Sequence, residues 1–157
     1  PGEGATFSVE LPVYALEAAP PDSPLPLAEP ERTQRLLVID DEQIVTTLIT
    51  RLLREQGFEV DDCHDSMLAL DLIARTDRDY DLIISDIRMP TLSGEQLYEE
   101  LSRRAPHLVH RLLFISGDTA SHGTRDFLER TGARCVEKPF ETAEFLAVVR
   151  HALSSPA

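Results

Sequence analysis

Leu36-Leu37-Val38-Ile39-Asp40-Asp41-Glu42 is the stretch on which the reading of this chain turns. Four apolar residues in a row are followed at once by three carboxylates. A run this short and this continuous is the pattern of a strand buried on both faces, as in a parallel sheet covered by helices. The acids then stand where the strand leaves the sheet.

Two further runs have the same character, Leu82-Ile83-Ile84 and Leu112-Leu113-Phe114-Ile115, and two weaker ones span Phe58 to Cys63 and Arg134 to Glu137. Helical spacing lies between them. Ile44, Leu48 and Leu52 recur every four residues, as do Leu68 with Leu72 and Leu97 with Leu101, and Phe145, Val149 and Leu153 mark a last helix. Ser121 to Thr131 has the weakest helical pattern of the set. Five strands alternating with five helices predict an α/β fold. It is a doubly wound five-stranded parallel sheet, flavodoxin-like, with strand order 2-1-3-4-5 and helices on both faces. This domain is expected over residues 35–157.

The first 34 residues read differently. Phe7, Val9, Leu11 and Val13 alternate with polar or small residues, which suggests one half-buried strand within residues 1–14. Residues 15–34 hold Pro20, Pro21, Pro24, Pro26 and Pro30 without helical period and read as an extended linker. The start Pro1-Gly2-Glu3-Gly4 has neither the basic residues nor the apolar core of a signal peptide. No apolar run approaches the length that crosses a bilayer. Cys63 and Cys135 are too few for a disulfide framework and read as free thiols in a reducing cytoplasm.

The net charge of −13 disfavours nucleic acid as a partner, because phosphate backbones are held by clustered Lys and Arg. Protein partners or cations suit it better, and no direct membrane contact is expected. Fourteen of the fifteen basic residues are Arg, and the single lysine is Lys138. A compact ammonium at that one position has a use that a guanidinium does not share.

Ligands of doubly wound sheets sit beyond the carboxyl ends of the strands. There the sequence places Asp40, Asp41 and Glu42 after the first strand, Asp86 after the third, Ser116 after the fourth and Lys138-Pro139 after the fifth. Two carboxylates about 4 Å apart in a partly screened site repel by roughly 4 kcal/mol, so they need a neutralising partner. Oxygen-only ligands suit Mg²⁺, or Mn²⁺ in its place, which takes one or two carboxylates, several waters and a phosphate oxygen. Ser116 offers a hydroxyl donor and Lys138 a positive charge to the same phosphoryl group. Phosphoryl transfer needs an in-line nucleophile, a cation and fixed donors. The residues supply each: Asp86 as nucleophile, Asp40 and Asp41 toward the metal, Ser116 and Lys138 as donors.

These segments, with Leu82 to Pro90, Phe114-Ile115-Ser116-Gly117 and Val136-Glu137-Lys138-Pro139-Phe140, resemble the signature segments of bacterial response-regulator receiver domains. The match runs in order from about Arg35 to Leu153. The resemblance implies transfer from a phosphohistidine to Asp86, followed by slow hydrolysis or onward relay. It implies a Mg²⁺ site of Asp40, Asp41, Asp86 and the Arg88 carbonyl, with Asp41 in direct contact and Asp40 acting largely through water, and a cis Lys138–Pro139 peptide. Partners would be a histidine kinase or a histidine phosphotransfer domain, and homodimerisation is left open.

Gly2 to Pro12 resembles the closing strand of a histidine-kinase ATP-binding domain. With the linker and receiver behind it, this is the order of a hybrid sensor kinase. The ATP-binding glycine boxes are not in this chain, so no kinase activity is expected of it. No DNA-binding region follows the last helix, so direct transcriptional output is not expected either.

Three details depart from the pattern or compete with it. The family often has an aromatic residue three positions before the lysine, and here Cys135 stands there, so output is expected to depend less on an aromatic switch. Arg88 and Asp118 lie two positions beyond Asp86 and Ser116, placing both at the mouth of the site, where a salt bridge could slow hydrolysis. Asp61-Asp62-Cys63-His64-Asp65 looks like a metal site, but consecutive strand residues point to opposite faces and the five histidines read as surface residues. The competing function on the same fold is a phosphate-independent docking module.

Overall fold

The computed structural model describes residues 32–75 and 79–154. The chain divides after Arg32 into two units, and the described elements belong to the second. The strand expected within residues 1–14 and most of the linker lie outside the described residues.

The strands are β1 Arg35–Ile39, β2 Glu59–Cys63, β3 Leu82–Asp86, β4 Leu112–Ser116 and β5 Arg134–Glu137. The helices are α1 Gln43–Glu55, α2 Ser66–Arg75, α3 Gly94–Arg104, α4 His122–Thr131 and α5 Thr142–Ser154, with a 3-10 turn over Pro106–Arg111 before β4. All strand pairs are parallel, in the order β2-β1-β3-β4-β5. This is the expected doubly wound sheet.

Alternate residues of the continuous apolar runs serve two cores. Leu36, Val38, Leu82, Ile84, Leu113 and Ile115 pack with Ile49 and Leu53 of α1 and Phe145 and Val149 of α5. Leu37, Ile39, Ile83, Leu112 and Phe114 pack with α2, α3 and α4 through Leu70, Leu97, Leu101 and Phe127. A strand buried on both faces has no polar side, which is why these runs do not alternate.

The helical repeats mark the helices but not always the buried face. On α3, Leu97 and Leu101 are core residues. On α1 the buried positions are Thr46, Ile49, Thr50 and Leu53, while Ile44 and Leu48 are 83% and 66% exposed. On α2, Met67, Leu68 and Leu72 are exposed, and Ala69 and Leu70 are buried.

α4, the least legible helix, buries only Thr124 and Phe127 and ends at Gly132, whose φ of 64° lies in the left-handed region that favours glycine. α3 has a clear start, because Ser93 and Gln96 form a reciprocal capping box.

The two faces of α1 yield a direct test. Leu53→Ala should cost about 2–5 kcal/mol of folding stability, as a buried truncation does. Leu48→Ala should stay within roughly 0.5 kcal/mol. Urea unfolding followed by circular dichroism distinguishes them.

Candidate functional site

The ends of four strands, β1, β3, β4 and β5, meet at the carboxyl edge of the sheet. β1 and β3 are neighbours, with Ile39 paired to Ser85, so Asp40 and Asp86 emerge side by side. Both are buried, at 2% and 8% exposure. Two buried carboxylates next to each other require a cation. Lys138 supplies it, its Nζ donating to Asp40 Oδ2 at 2.8 Å and to Asp86 Oδ1 at 2.8 Å. Burial opposes charging of the ammonium, but the hydrogen bonds and charges of Asp40 and Asp86 outweigh it and raise the Lys138 pKa.

The second oxygen of each carboxylate is also held. Asp40 Oδ1 accepts from the Glu42 N–H at 2.9 Å, and Asp86 Oδ2 accepts from the Arg88 N–H at 2.6 Å. Ser116 closes β4 at 1% exposure, and its Oγ accepts from the Asp118 N–H at 3.2 Å. The Lys138 N–H donates to the Ser116 carbonyl at 2.7 Å, and the Lys138–Pro139 peptide that follows is cis. Asp86, Ser116 and Lys138 are thus gathered at one edge, with Asp40.

Asp41 stands apart from this network as an exposed residue. It lines an open cleft of about 530 Å³ together with Arg88, Met89, Pro90 and Thr124. Among the described residues no three His, Cys, Asp or Glu side chains are grouped so that they could hold a metal ion by themselves, Asp40, Asp41 and Asp86 included. Mg²⁺ keeps several waters and needs only one or two protein carboxylates. The donor set is all oxygen, with Asp40 and Asp86 already oriented by backbone N–H groups, so the residues present fit such a cation.

Arg88 and Asp118 form the ion pair expected from their positions, Nη2 to Oδ2 at 2.5 Å. The tract from Asp61 to Asp65 does not converge. Asp61 accepts from Arg35 and from the Tyr80 hydroxyl, Asp62 lies 3.5 Å from Arg54, and Asp65 Oδ1 accepts from the Met67 N–H at the start of α2. His64 shares a hydrogen bond with Thr46 Oγ1 at 3.1 Å. All five histidines are exposed. Cys135 is half-buried beside the α2, α3 and α4 core. Burial foremost, with the charges of Glu137 and Asp86, pushes its thiol up to about 11.

Two supporting residues escape the strand-end reading. Gly94 opens α3 directly beneath the loop that follows β3, its N–H donating to the Ile87 carbonyl at 2.8 Å. A Cβ there would meet the Asp86 carbonyl oxygen, Ile87 Cα and Phe114 Cε1, each at 2.9 Å. A glycine at the first position of a helix, where others would serve better, is the only sequence signal of this approach. Thr46, fully buried, donates its hydroxyl to the Asp40 and Glu42 carbonyls at 3.0 Å each. It fixes the turn that carries Asp40 and Asp41, and nothing in the sequence distinguishes it from Thr47.

Residues 36–150 match the response regulator receiver domain, and the chain belongs to that family. The sensor kinase CckA of Brucella abortus is 24% identical over 160 residues, covering 97% of this chain and 17% of that protein. The transcriptional regulatory protein FixJ of Azorhizobium caulinodans is 34% identical over 126 residues, covering 76% of this chain and 55% of that protein. The chain therefore spans less than two thirds of either relative. The receiver domain of sensor histidine kinase PA1611 from Pseudomonas aeruginosa PAO1 has the same fold, with a TM-score of 0.69 and 24% identity over 78% of this chain and 99% of that one. That domain was solved with magnesium coordinated in its active-site cleft.

Lys138 makes stability depend on alkaline pH. Its folded pKa is raised above the unfolded value of about 10.4, so its contribution is complete below that value and is lost as pH rises through the folded one. Unfolding curves at successive pH values above 10 should show a steeper loss for wild type than for Lys138→Met.

Proposed function

We propose that this chain accepts a phosphoryl group on Asp86 from a phosphohistidine, in a transfer that depends on Mg²⁺ or Mn²⁺. The observation that carries the reading is the Lys138 ammonium held between Asp40 and Asp86 at 2.8 Å from each. A positive charge shared by these two carboxylates supports Asp86 as the acceptor and Asp40 as a carboxylate on the metal side.

A carboxylate oxygen of Asp86 attacks phosphorus in line. The P–N bond to the donor breaks, its electron pair leaves with the imidazole, and the imidazole takes up a proton. Lys138 and the Ser116 hydroxyl then pair with phosphoryl oxygens, and the Asp118 N–H is freed from Ser116. Asp40, Asp41, Asp86 and the Arg88 carbonyl are the groups that would hold the divalent cation, which would supply charge neutralisation at the phosphoryl oxygens. Little covalent help is required of the protein beyond this positioning.

The donor is a helical histidine kinase or histidine phosphotransfer domain, and Ile44 and Leu48 support this assignment. They form an exposed apolar stripe on the first two turns of α1, directly after Asp40 and Asp41. A stripe at i and i+4 beside the acceptor suits an apolar helix face that carries the phosphohistidine. The order of segments further supports placement at the receiver end of a hybrid sensor kinase, since the match to CckA covers 97% of this chain and extends into its first 34 residues. Among the described residues no helix is long and apolar enough to cross a membrane.

Intact mass after incubation with phosphoramidate and Mg²⁺ tests the acceptor. Wild type should gain one phosphoryl group only when the cation is present, and Asp86→Asn should gain none. No gain in wild type, from phosphoramidate or from a phosphohistidine protein, would leave the docking module as the function of this fold. Leu48→Asp should leave phosphoramidate labelling intact while weakening transfer from a phosphohistidine protein about ten-fold, equivalent to roughly 1.4 kcal/mol of docking.

A further inference from the structure

Asp41 is exposed, yet the backbone that carries it is held both before and after it. The Asp40 carbonyl accepts from the Thr46 hydroxyl at 3.0 Å and lies 3.4 Å from His64 Nδ1. The peptide between Asp41 and Glu42 is held through its N–H, which donates to Asp40 Oδ1 at 2.9 Å. The Glu42 carbonyl accepts from the Thr46 hydroxyl at 3.0 Å and from the Thr46 N–H at 3.1 Å. Three consecutive peptide units around Asp41 are therefore pinned, two of them by one side chain.

Thr46 is fully buried, and His64 meets it from the residue directly after β2, with Nδ1 3.1 Å from Thr46 Oγ1. A hydroxyl has one proton and two lone pairs. The two carbonyls take the proton, so the imidazole can meet this oxygen only as a donor, through Nδ1–H. His64 thus fixes the hydroxyl that fixes the turn. The end of β2 braces the same turn a second time, because the Asp40 N–H donates to the Cys63 carbonyl at 3.3 Å.

A binding group held in place before its ligand arrives loses less freedom on binding. Cations differ in how much they gain from this. Mg²⁺ demands near-ideal octahedral oxygen at about 2.0–2.1 Å, whereas Ca²⁺ accepts roughly six to eight oxygens at about 2.3–2.6 Å in flexible geometry. We propose that Thr46 and His64 are positioning residues that set the affinity of the acidic turn for Mg²⁺ and its preference for Mg²⁺ over Ca²⁺. This rests on Asp40 and Asp41 being among the groups that hold the cation. Thr46 and His64 act through the backbone on either side of Asp41, so loosening them costs the cation with the stricter geometry more.

The full chain, with no phosphoryl donor present, is titrated with MgCl₂ and separately with CaCl₂ by calorimetry. Thr46→Val, which removes the hydroxyl and keeps the volume, should weaken Mg²⁺ binding about ten-fold, the scale on which groups behind a metal ligand act. Its Ca²⁺ affinity should fall much less, and Thr46→Ser should restore most of the Mg²⁺ affinity. His64→Ala should weaken Mg²⁺ several-fold, while His64→Asn, whose amide can donate in place of Nδ1–H, should stay close to wild type. The Thr46→Val, His64→Ala double variant should bind no more weakly than Thr46→Val alone, because His64 acts through the hydroxyl. If Thr46→Val does not fold, the contrast between His64→Ala and His64→Asn decides. Unchanged Mg²⁺ affinity in the variants would overturn the inference, as would equal losses for both cations. Wild type that binds neither cation would instead remove the metal site on which the inference rests.

Discussion

Asp40 and Asp86 are buried side by side at the ends of adjacent parallel strands, where two carboxylates need a cation between them. That constraint organises the carboxyl edge of the sheet. Lys138 meets it from the far edge, because β5 lies two strands away from β3 and three from β1, and the side chain must cross the end of β4. A four-carbon stem ending in a rotatable ammonium reaches two carboxylates at 2.8 Å each. The planar fork of arginine is built to grip one carboxylate with two bonds, not to be shared between two. In a chain whose other fourteen basic residues are all Arg, the single lysine occupies the position where that difference is felt.

The strand ends were legible because burial on both faces leaves a strand no place for polar residues until it exits the sheet. Asp40 after Ile39, Asp86 at the end of β3 and Ser116 after Ile115 therefore mark exits, and the sheet order brings those exits together. Ser85 is an informative exception: it is fully buried within β3, and its hydroxyl is satisfied locally by the Asp86 carbonyl at 2.9 Å. A short polar side chain that can bond its own backbone does not signal an exit, whereas a carboxylate does.

What the sequence concealed is the phase of the first two helices. On α1 an i, i+4 apolar repeat exists twice, once at Ile44 and Leu48 and once at Ile49 and Leu53, displaced by one residue around the helix. Periodicity detects a stripe but cannot say which stripe faces the sheet when both are apolar. The decision falls to the turn before the helix, where buried Thr46 binds the Asp40 and Glu42 carbonyls and so sets the rotation of α1. Once that rotation is set, the apolar stripe left outside lies beside the acidic pair. The exposed stripe and the buried threonine are two consequences of one orientation. Gly94 was hidden for a related reason: its role is a close approach between segments, which no local pattern encodes.

Cys135 bears on how the state of Asp86 is transmitted. Its thiol, raised to about 11, is neutral at physiological pH and packs as a small apolar group beside the α3 and α4 core. It offers no ring to move when Ser116 changes partner. The aromatic contacts on that side run instead from Phe114 to Phe127 to Tyr98, with ring centroids 5.3 and 5.7 Å apart, all within close-packed surroundings. The Ser116 hydroxyl oxygen accepts from the Asp118 amide, and Asp118 is bonded to Ser121, the residue before α4. A shift at the hydroxyl therefore reaches α4 through polar contacts at its first turn. Polar contacts at a half-exposed loop rearrange at little cost, while an aromatic core does not, so the path open to this chain is the one that the replacement at Cys135 leaves in place.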